Sequence, residues 1–270
     1  MNIVVDNISY HVEVYGSGEP LLLLHGFTGD SSTWQQFIPV FEKNHQIIMM
    51  DIIGHGQTAS PDEQQPYKIE YAAKAIKKLL DTLEVDSTNL LGYSMGGRLA
   101  LTFAFIYPDM VRNLVLESAT PGLKTEEERR ERRIMDEQLG NYILKEGVNK
   151  FVNKWENIPL FATQTRLSKD VKEKIRSQRL MNNPVGLANS LEQMGTGSQP
   201  SWWERLGELK CPTLLLTGKL DEKFCRIAGE MQKQNENFEW INVDDARHAI
   251  HVEKPEIFGT IVSEFLSNSS

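Results

Sequence analysis

Residues 90–97 read Leu-Leu-Gly-Tyr-Ser-Met-Gly-Gly, and this short stretch narrows the possible folds more than any other part of the chain. An apolar run ends in Gly-x-Ser-x-Gly, and a helical pattern begins at once. A strand that turns straight into a helix on a serine holds that side chain on a tight bend above the sheet edge. Gly92 and Gly96 leave room for strand and helix to approach at the bend. The N–H of Met95, at the helix start, is placed to donate to a developing oxyanion. A strand–helix turn with an incidental serine has the same local pattern, so the partners of Ser94 decide.

The surroundings supply the right context. Short apolar, β-branched runs recur at residues 9–15, 20–24, 46–50, 88–92, 111–117, 213–218 and 238–242. Helical patterns separate several of them. Over residues 69–83, Ala72, Ala75, Ile76, Leu79, Leu80 and Leu83 fall on one helical face. Alternating strand and helix predicts βαβ units and an α/β fold: a mostly parallel central sheet flanked by helices. The rhythm stops after Pro121-Gly122 and resumes at Cys211. The stretch between reads as helices alone, which predicts a helical lid (123–204) inserted in a core built from residues 1–122 and 205–270. A lid over the carboxyl ends of the strands is where a substrate pocket forms.

A serine activated by histidine needs an acid and then a histidine, in the chain order serine, acid, histidine. Asp221 follows the strand pattern 213–218, and His248 follows the pattern 238–242. The acid holds the imidazole's tautomer and the imidazole takes the serine proton. His25-Gly26-Phe27 follows the leucine run 21–24, where a second oxyanion donor belongs, and the expected group is the backbone N–H of Phe27. His55, in Gly54-His55-Gly56, reads as a loop-stabilising residue, and His11 and His45 as surface or structural ones. His248 and His251 have metal-ligand spacing but no third ligand accompanies them, so no metal is expected. No cofactor is called for.

The chain has 37 acidic residues against 29 Lys plus Arg, a net charge of −8. A general nucleic-acid binder needs a basic face, so none is expected as partner. No stretch is long and apolar enough to insert in a membrane, and residues 1–14 do not read as a signal peptide. The expected location is the cytoplasm, as monomer or homodimer. Cys211 and Cys225 read as small buried apolar groups.

The Ser94 turn, His25-Gly26, Gly54-His55-Gly56, Asp221 and the segment from His248 to Pro255 together resemble the α/β-hydrolase superfamily over nearly the whole chain. Finer segments are similar to one branch of it. These are Arg98, four residues past the serine; Ser118-Ala119-Thr120-Pro121-Gly122-Leu123 before an arginine-rich run; Gln178-Arg179 before Asn182-Asn183; residues 194–200; and Lys223-Phe224 just after the acid. They resemble the 2-succinyl-6-hydroxy-2,4-cyclohexadiene-1-carboxylate synthases of menaquinone biosynthesis. Two departures stand out: Arg247 before the histidine, and Asp-Ile-Ile-Gly at residues 51–54.

The resemblance implies a lyase that eliminates pyruvate from 2-succinyl-5-enolpyruvyl-6-hydroxy-3-cyclohexene-1-carboxylate, with the triad as a base. It also implies a small-molecule substrate with three carboxylates. Guanidinium groups match carboxylates as planar forks, and Arg98, Arg132 and Arg179 are the expected clamp. Arg132 sits in a charge run that a merely solvated helix would also show. Tyr93, Lys223 and Trp155 complete the candidate pocket residues. Two other readings remain: a serine ester or carbon–carbon bond hydrolase, and a non-catalytic receptor using the same pocket.

Overall fold

A computed structural model describes residues 1–268. Eight strands form one sheet: β1 (Asn2–Val5), β2 (Ile8–Tyr15), β3 (Glu19–Leu24), β4 (His45–Met50), β5 (Thr88–Tyr93), β6 (Val111–Glu117), β7 (Thr213–Gly218) and β8 (Phe238–Val243). Their spatial order is β1-β2-β4-β3-β5-β6-β7-β8. β1 and β2 pair antiparallel, β2 runs antiparallel to β4, and every later pairing is parallel. All seven expected strands are present. The short edge strand β1 is an addition, since four residues carry too little pattern to read.

The β3 residues Leu21–Leu24 show why the centre of the sheet is apolar throughout. All four are fully buried, because a parallel sheet is covered on both faces. Leu22 and Leu24 pack on the side of α2 (Ile69–Thr82) and α3 (Met95–Ile106). Leu21 and Leu23 face the opposite layer, with Trp34, Phe41 of the short α1 (Ile38–Phe41), and Phe258, Val262 and Leu266.

Between β6 and β7 the described residues form helices and turns with no strand. α4 (Glu126–Trp155) starts on a capping box: Thr125 Oγ1 accepts the Glu128 N–H at 3.2 Å and Glu128 Oε2 accepts the Thr125 N–H at 2.9 Å. The helix is broken at Gly147 (φ 80°, ψ 163°). α5 (Lys169–Leu180) and α6 (Pro184–Met194) follow. Ile143, Phe151, Val152, Leu187 and Leu191 give these helices a small core of their own, against which Phe27 packs. Three helices complete the fold: α7 (Glu222–Gln232), α8 (Ile250–Glu253) and α9 (Pro255–Asn268). No helix among the described residues is long and apolar enough to cross a membrane. Cys211 and Cys225 are free thiols, as expected, but half-buried and not buried.

Candidate active site

Ser94 lies between β5 and α3 with φ 51° and ψ −105°, a left-handed backbone that strains any residue with a Cβ. Two close approaches hold it there. A Cβ on Gly96 would stand 2.3 Å from the Leu24 carbonyl oxygen, and one on Gly92 2.4 Å from that of Gly96. The Ser94 N–H donates to the Glu117 carbonyl at the end of β6, at 2.8 Å. The serine is thus locked over the carboxyl edge of the sheet.

Asp221 and His248 project from the same edge, after β7 and β8. Their loops are joined by backbone bonds, Lys219 N–H to Val243 C=O and Leu220 N–H to Ala246 C=O, both 2.9 Å. Gly218 has to lack a side chain, because a Cβ there would lie 2.1 Å from the Arg247 carbonyl oxygen. Arg247 itself is held by its N–H, which donates to Glu253 Oε2 at 3.0 Å. His248 Nδ1 meets Asp221 Oδ2 at 2.8 Å, and His248 Nε2 meets Ser94 Oγ at 3.0 Å. Both the imidazole and the carboxylate are buried. Phe224 packs edge-on against the His248 ring, with centroids 4.7 Å apart.

Phe27 and Met95 line the cavity that contains Ser94 and His248. Neither N–H donates to another group among the described residues. The loop of Phe27 is set by His25. His25 Nε2 accepts the Ile52 N–H at 2.9 Å, so its Nδ1 carries the proton and donates to Gly26 C=O at 2.8 Å. Burial pushes the pKa of His25 down. His55 has the loop-stabilising role expected of it: Nδ1 meets Ile53 C=O at 3.1 Å, and burial pushes its pKa down to about 3.

The cavity measures about 690 Å³. Arg98, Arg132, Tyr93, Lys223 and Trp155 all lie on its wall. The Arg98 guanidinium binds only neutral oxygens, the Met194 carbonyl and Gln199 Oε1. Burial, and then the like charge of Arg132, push its pKa down to about 9, which leaves it cationic at neutral pH. Arg132 holds Asp136 at 2.8 Å. Lys223 and Arg226 make no direct ion pair among the described residues, although Glu230, on the same wall, feels the charge of Arg226. Two buried polar groups on the wall, Ser118 Oγ and Trp155 Nε1, have no hydrogen-bond partner.

Arg179 is the one candidate placed elsewhere. It lines a separate cavity of about 270 Å³, with Gln164, Lys174, Gln178 and His251. Phe27, Tyr93 and Phe161 form the wall common to both cavities. The Arg179 guanidinium stacks on Phe161, 4.8 Å from the ring centre. His251, read at most as a weak metal partner of His248, is bound to Glu117 instead. No group of metal-ligating side chains occurs among the described residues.

The sequence profile of the alpha/beta hydrolase fold matches residues 19–255. The chain is 46% identical, over 99% of its length and 98% of the relative's, to the putative 2-succinyl-6-hydroxy-2,4-cyclohexadiene-1-carboxylate synthase of Bacillus subtilis. The chain belongs to this synthase family of the α/β-hydrolase fold. Another such synthase, from Salmonella typhimurium, is 33% identical over 78% of the chain and 81% of the relative. Among solved structures, MenH from S. aureus superposes with a TM-score of 0.91 at 37% identity, covering 96% of the chain and 98% of that protein. An enol-lactonase from Burkholderia xenovorans shares the fold with a TM-score of 0.86 at 20% identity, covering 99% of the chain and all of the lactonase. Synthase and lactonase thus occupy one architecture, so the fold alone does not set the reaction.

Proposed function

We propose that the chain is a 2-succinyl-6-hydroxy-2,4-cyclohexadiene-1-carboxylate synthase of menaquinone biosynthesis, acting on 2-succinyl-5-enolpyruvyl-6-hydroxy-3-cyclohexene-1-carboxylate. The observation that carries this reading is a partly buried guanidinium, Arg98, with no ion-pair partner of its own, one helical turn from a serine bound to histidine. On the cavity wall Arg98, Lys124, Arg132, Lys223 and Arg226 outnumber the glutamates Glu128, Glu131 and Glu230, in a chain of net charge −8, and such a wall suits a polycarboxylate.

In this reading the triad acts as a base. Ser94 Oγ removes the proton on ring carbon 2, α to the succinyl ketone, as His248 takes the hydroxyl proton and Asp221 stabilises the imidazolium. The electron pair from that C–H bond enters the ketone, giving an enolate held by the N–H groups of Phe27 and Met95. The enolate then re-forms the ketone. The ring double bond at carbon 3 shifts to carbon 4, a new one forms at carbon 2, and the bond from carbon 5 to oxygen breaks. Enolpyruvate leaves with a proton relayed from His248 through Ser94, and it tautomerises to pyruvate. No water is consumed and no covalent intermediate forms.

Arg98 and Arg132 are the proposed carboxylate clamps. Lys223, Tyr93 and the Trp155 N–H line the remaining wall, and Arg179 reaches the substrate only when the Phe161 partition shifts. Residues 123–204 are proposed as the lid over a core of residues 1–122 and 205–270. A substrate with three carboxylates does not cross a bilayer unaided, in keeping with work in the cytoplasm. Incubation with the enolpyruvyl substrate in ¹⁸O water, with coupled detection of pyruvate, tests the proposal. Pyruvate should appear without early solvent oxygen in the succinyl group. Label there, or an acyl group trapped on Ser94, would identify a hydrolase instead.

A further inference from the structure

The mechanism above leaves one ionisable pair unused. Glu117, the last residue of β6, is fully buried, and His251, in the first turn of α8, is buried with it. His251 Nδ1 lies 2.9 Å from Glu117 Oε1 and 2.8 Å from Oε2, and the His251 backbone N–H donates to Oε1 at 3.0 Å. One carboxylate therefore holds both the ring and the backbone of a residue three positions after the triad histidine. On its other side, Glu117 holds the nucleophile, because its carbonyl accepts the Ser94 N–H at 2.8 Å. Tyr93 fills the space between, with its ring centroid 4.5 Å from that of His251 and 5.5 Å from that of His248. Trp34 and Phe258 close the apolar side of His251, at 5.1 and 6.0 Å.

We propose that Glu117 and His251 are positioning residues: their buried contact ties the loop of His248 to the strand end that holds Ser94, and so fixes the spacing of base and nucleophile. Stability alone gives little reason for such a pair. A buried ion pair replaced by apolar groups of similar volume is often neutral or better, because desolvation cancels most of the attraction. What an apolar pair lacks is direction. The carboxylate accepts at three defined geometries on one side and its own backbone accepts from Ser94 on the other. The 3.0 Å contact between His248 and Ser94 spans two loops far apart in the chain, and Glu117 is the residue bonded to both segments. A misplacement of about 1 Å at a reacting pair costs on the order of 10²-fold in rate.

The proposal rests on the reading of Ser94, Asp221 and His248 as a working triad, and its test separates the two. The proton shared by His248 and Asp221 should give a low-field NMR signal in the free enzyme, identified by its absence in Asp221→Asn. Glu117→Gln keeps the volume and one acceptor for the His251 N–H, but its amide turns a donor toward Nδ1. This variant should melt close to the parent, lose roughly 10- to 100-fold in kcat with KM little changed, and shift or broaden the low-field signal. If Glu117→Gln does not fold, His251 variants decide. His251→Asn keeps a donor near the Nδ1 position and should retain the signal and most of kcat, whereas His251→Phe should lose both. A folded Glu117→Gln with parental kcat and signal overturns the proposal, as does equal behaviour of the Asn and Phe variants. A parent that releases no pyruvate while the signal still follows Glu117 leaves the positioning role standing and removes the assigned reaction.

Discussion

The guanidinium of Arg179 sits over Phe161, 4.8 Å from the ring centre, and lines the cavity beside the one that holds His248. Arg98 lines the cavity of His248 itself. Two arginines that look equivalent in the sequence are therefore unequal in the fold. Arg98→Ala should lower kcat/KM by roughly 10- to 100-fold, the worth of one charge-assisted pair of about 1.5–3 kcal/mol. Arg98→Lys should recover little, since the fork geometry is lost. Arg179→Ala should cost less than Arg98→Ala. Steady-state kinetics with thermal melts on each variant checks the ranking, and a larger loss at Arg179 would reverse it.

The triad should behave as one unit. Ser94→Ala, Asp221→Asn and His248→Ala should each cost roughly 10²-fold or more in kcat, and pairwise combinations should cost little beyond the worst single change. Losses that multiply would mean three independent contributions.

The Ser94 turn is intolerant of one methyl group. Gly96→Ala places a Cβ 2.3 Å from the Leu24 carbonyl and 2.5 Å from that of His25. Neither is the flexible end of a side chain. The expected result is a destabilisation of about 1–3 kcal/mol with a loss of activity larger than the change in melting temperature explains. A variant with parental melting and kcat would show that the turn can widen.

Acid should unfold the chain through its buried histidines. Burial lowers the pKa of His25, His45 and His55, the last to about 3. Below the unfolded value of 6.5 the unfolded chain binds protons that the folded one refuses. Stability therefore falls as pH falls, and one fully shifted histidine contributes about 1.4 kcal/mol per pH unit within its window. For His55 the loss accumulates from about 6.5 down to about 3. Urea unfolding across this range measures the slope, and His55→Asn should make it shallower by one proton.

Much of the catalytic geometry was legible because it is local to strand ends. Ser94, Asp221 and His248 each follow a strand pattern, and parallel strands bring their carboxyl ends to one edge. The arginines were legible only as types. Arg98 is placed by its distance from Ser94 along one helix, whereas Arg179 depends on how α5 packs across Phe161, which no spacing encodes. Glu117 left a faint sign, a carboxylate that closes the apolar run Leu114-Val115-Leu116 at the end of β6. Its partner lies 134 residues away, and only the sheet order joins them. The unpartnered Ser118 hydroxyl and Trp155 N–H were illegible for the same reason, since a missing partner has no sequence pattern.

The strand order has a consequence for synthesis. His248 reaches Ser94 across 154 residues of chain, and Asp221 enters only after β7. A chain folded as far as β6 already has the strained serine turn and the Glu117 carbonyl beneath it, but neither base nor acid. Such a nascent molecule carries an ordinary alcohol. Asp221 and His248 can meet Ser94 only once β7 and β8 have joined the sheet beyond β6, and non-local pairings of this kind are slow to form in general. The chain order thus brings His248 to Ser94 only after α4, α5 and α6, the helices beside the cavity, have been synthesised.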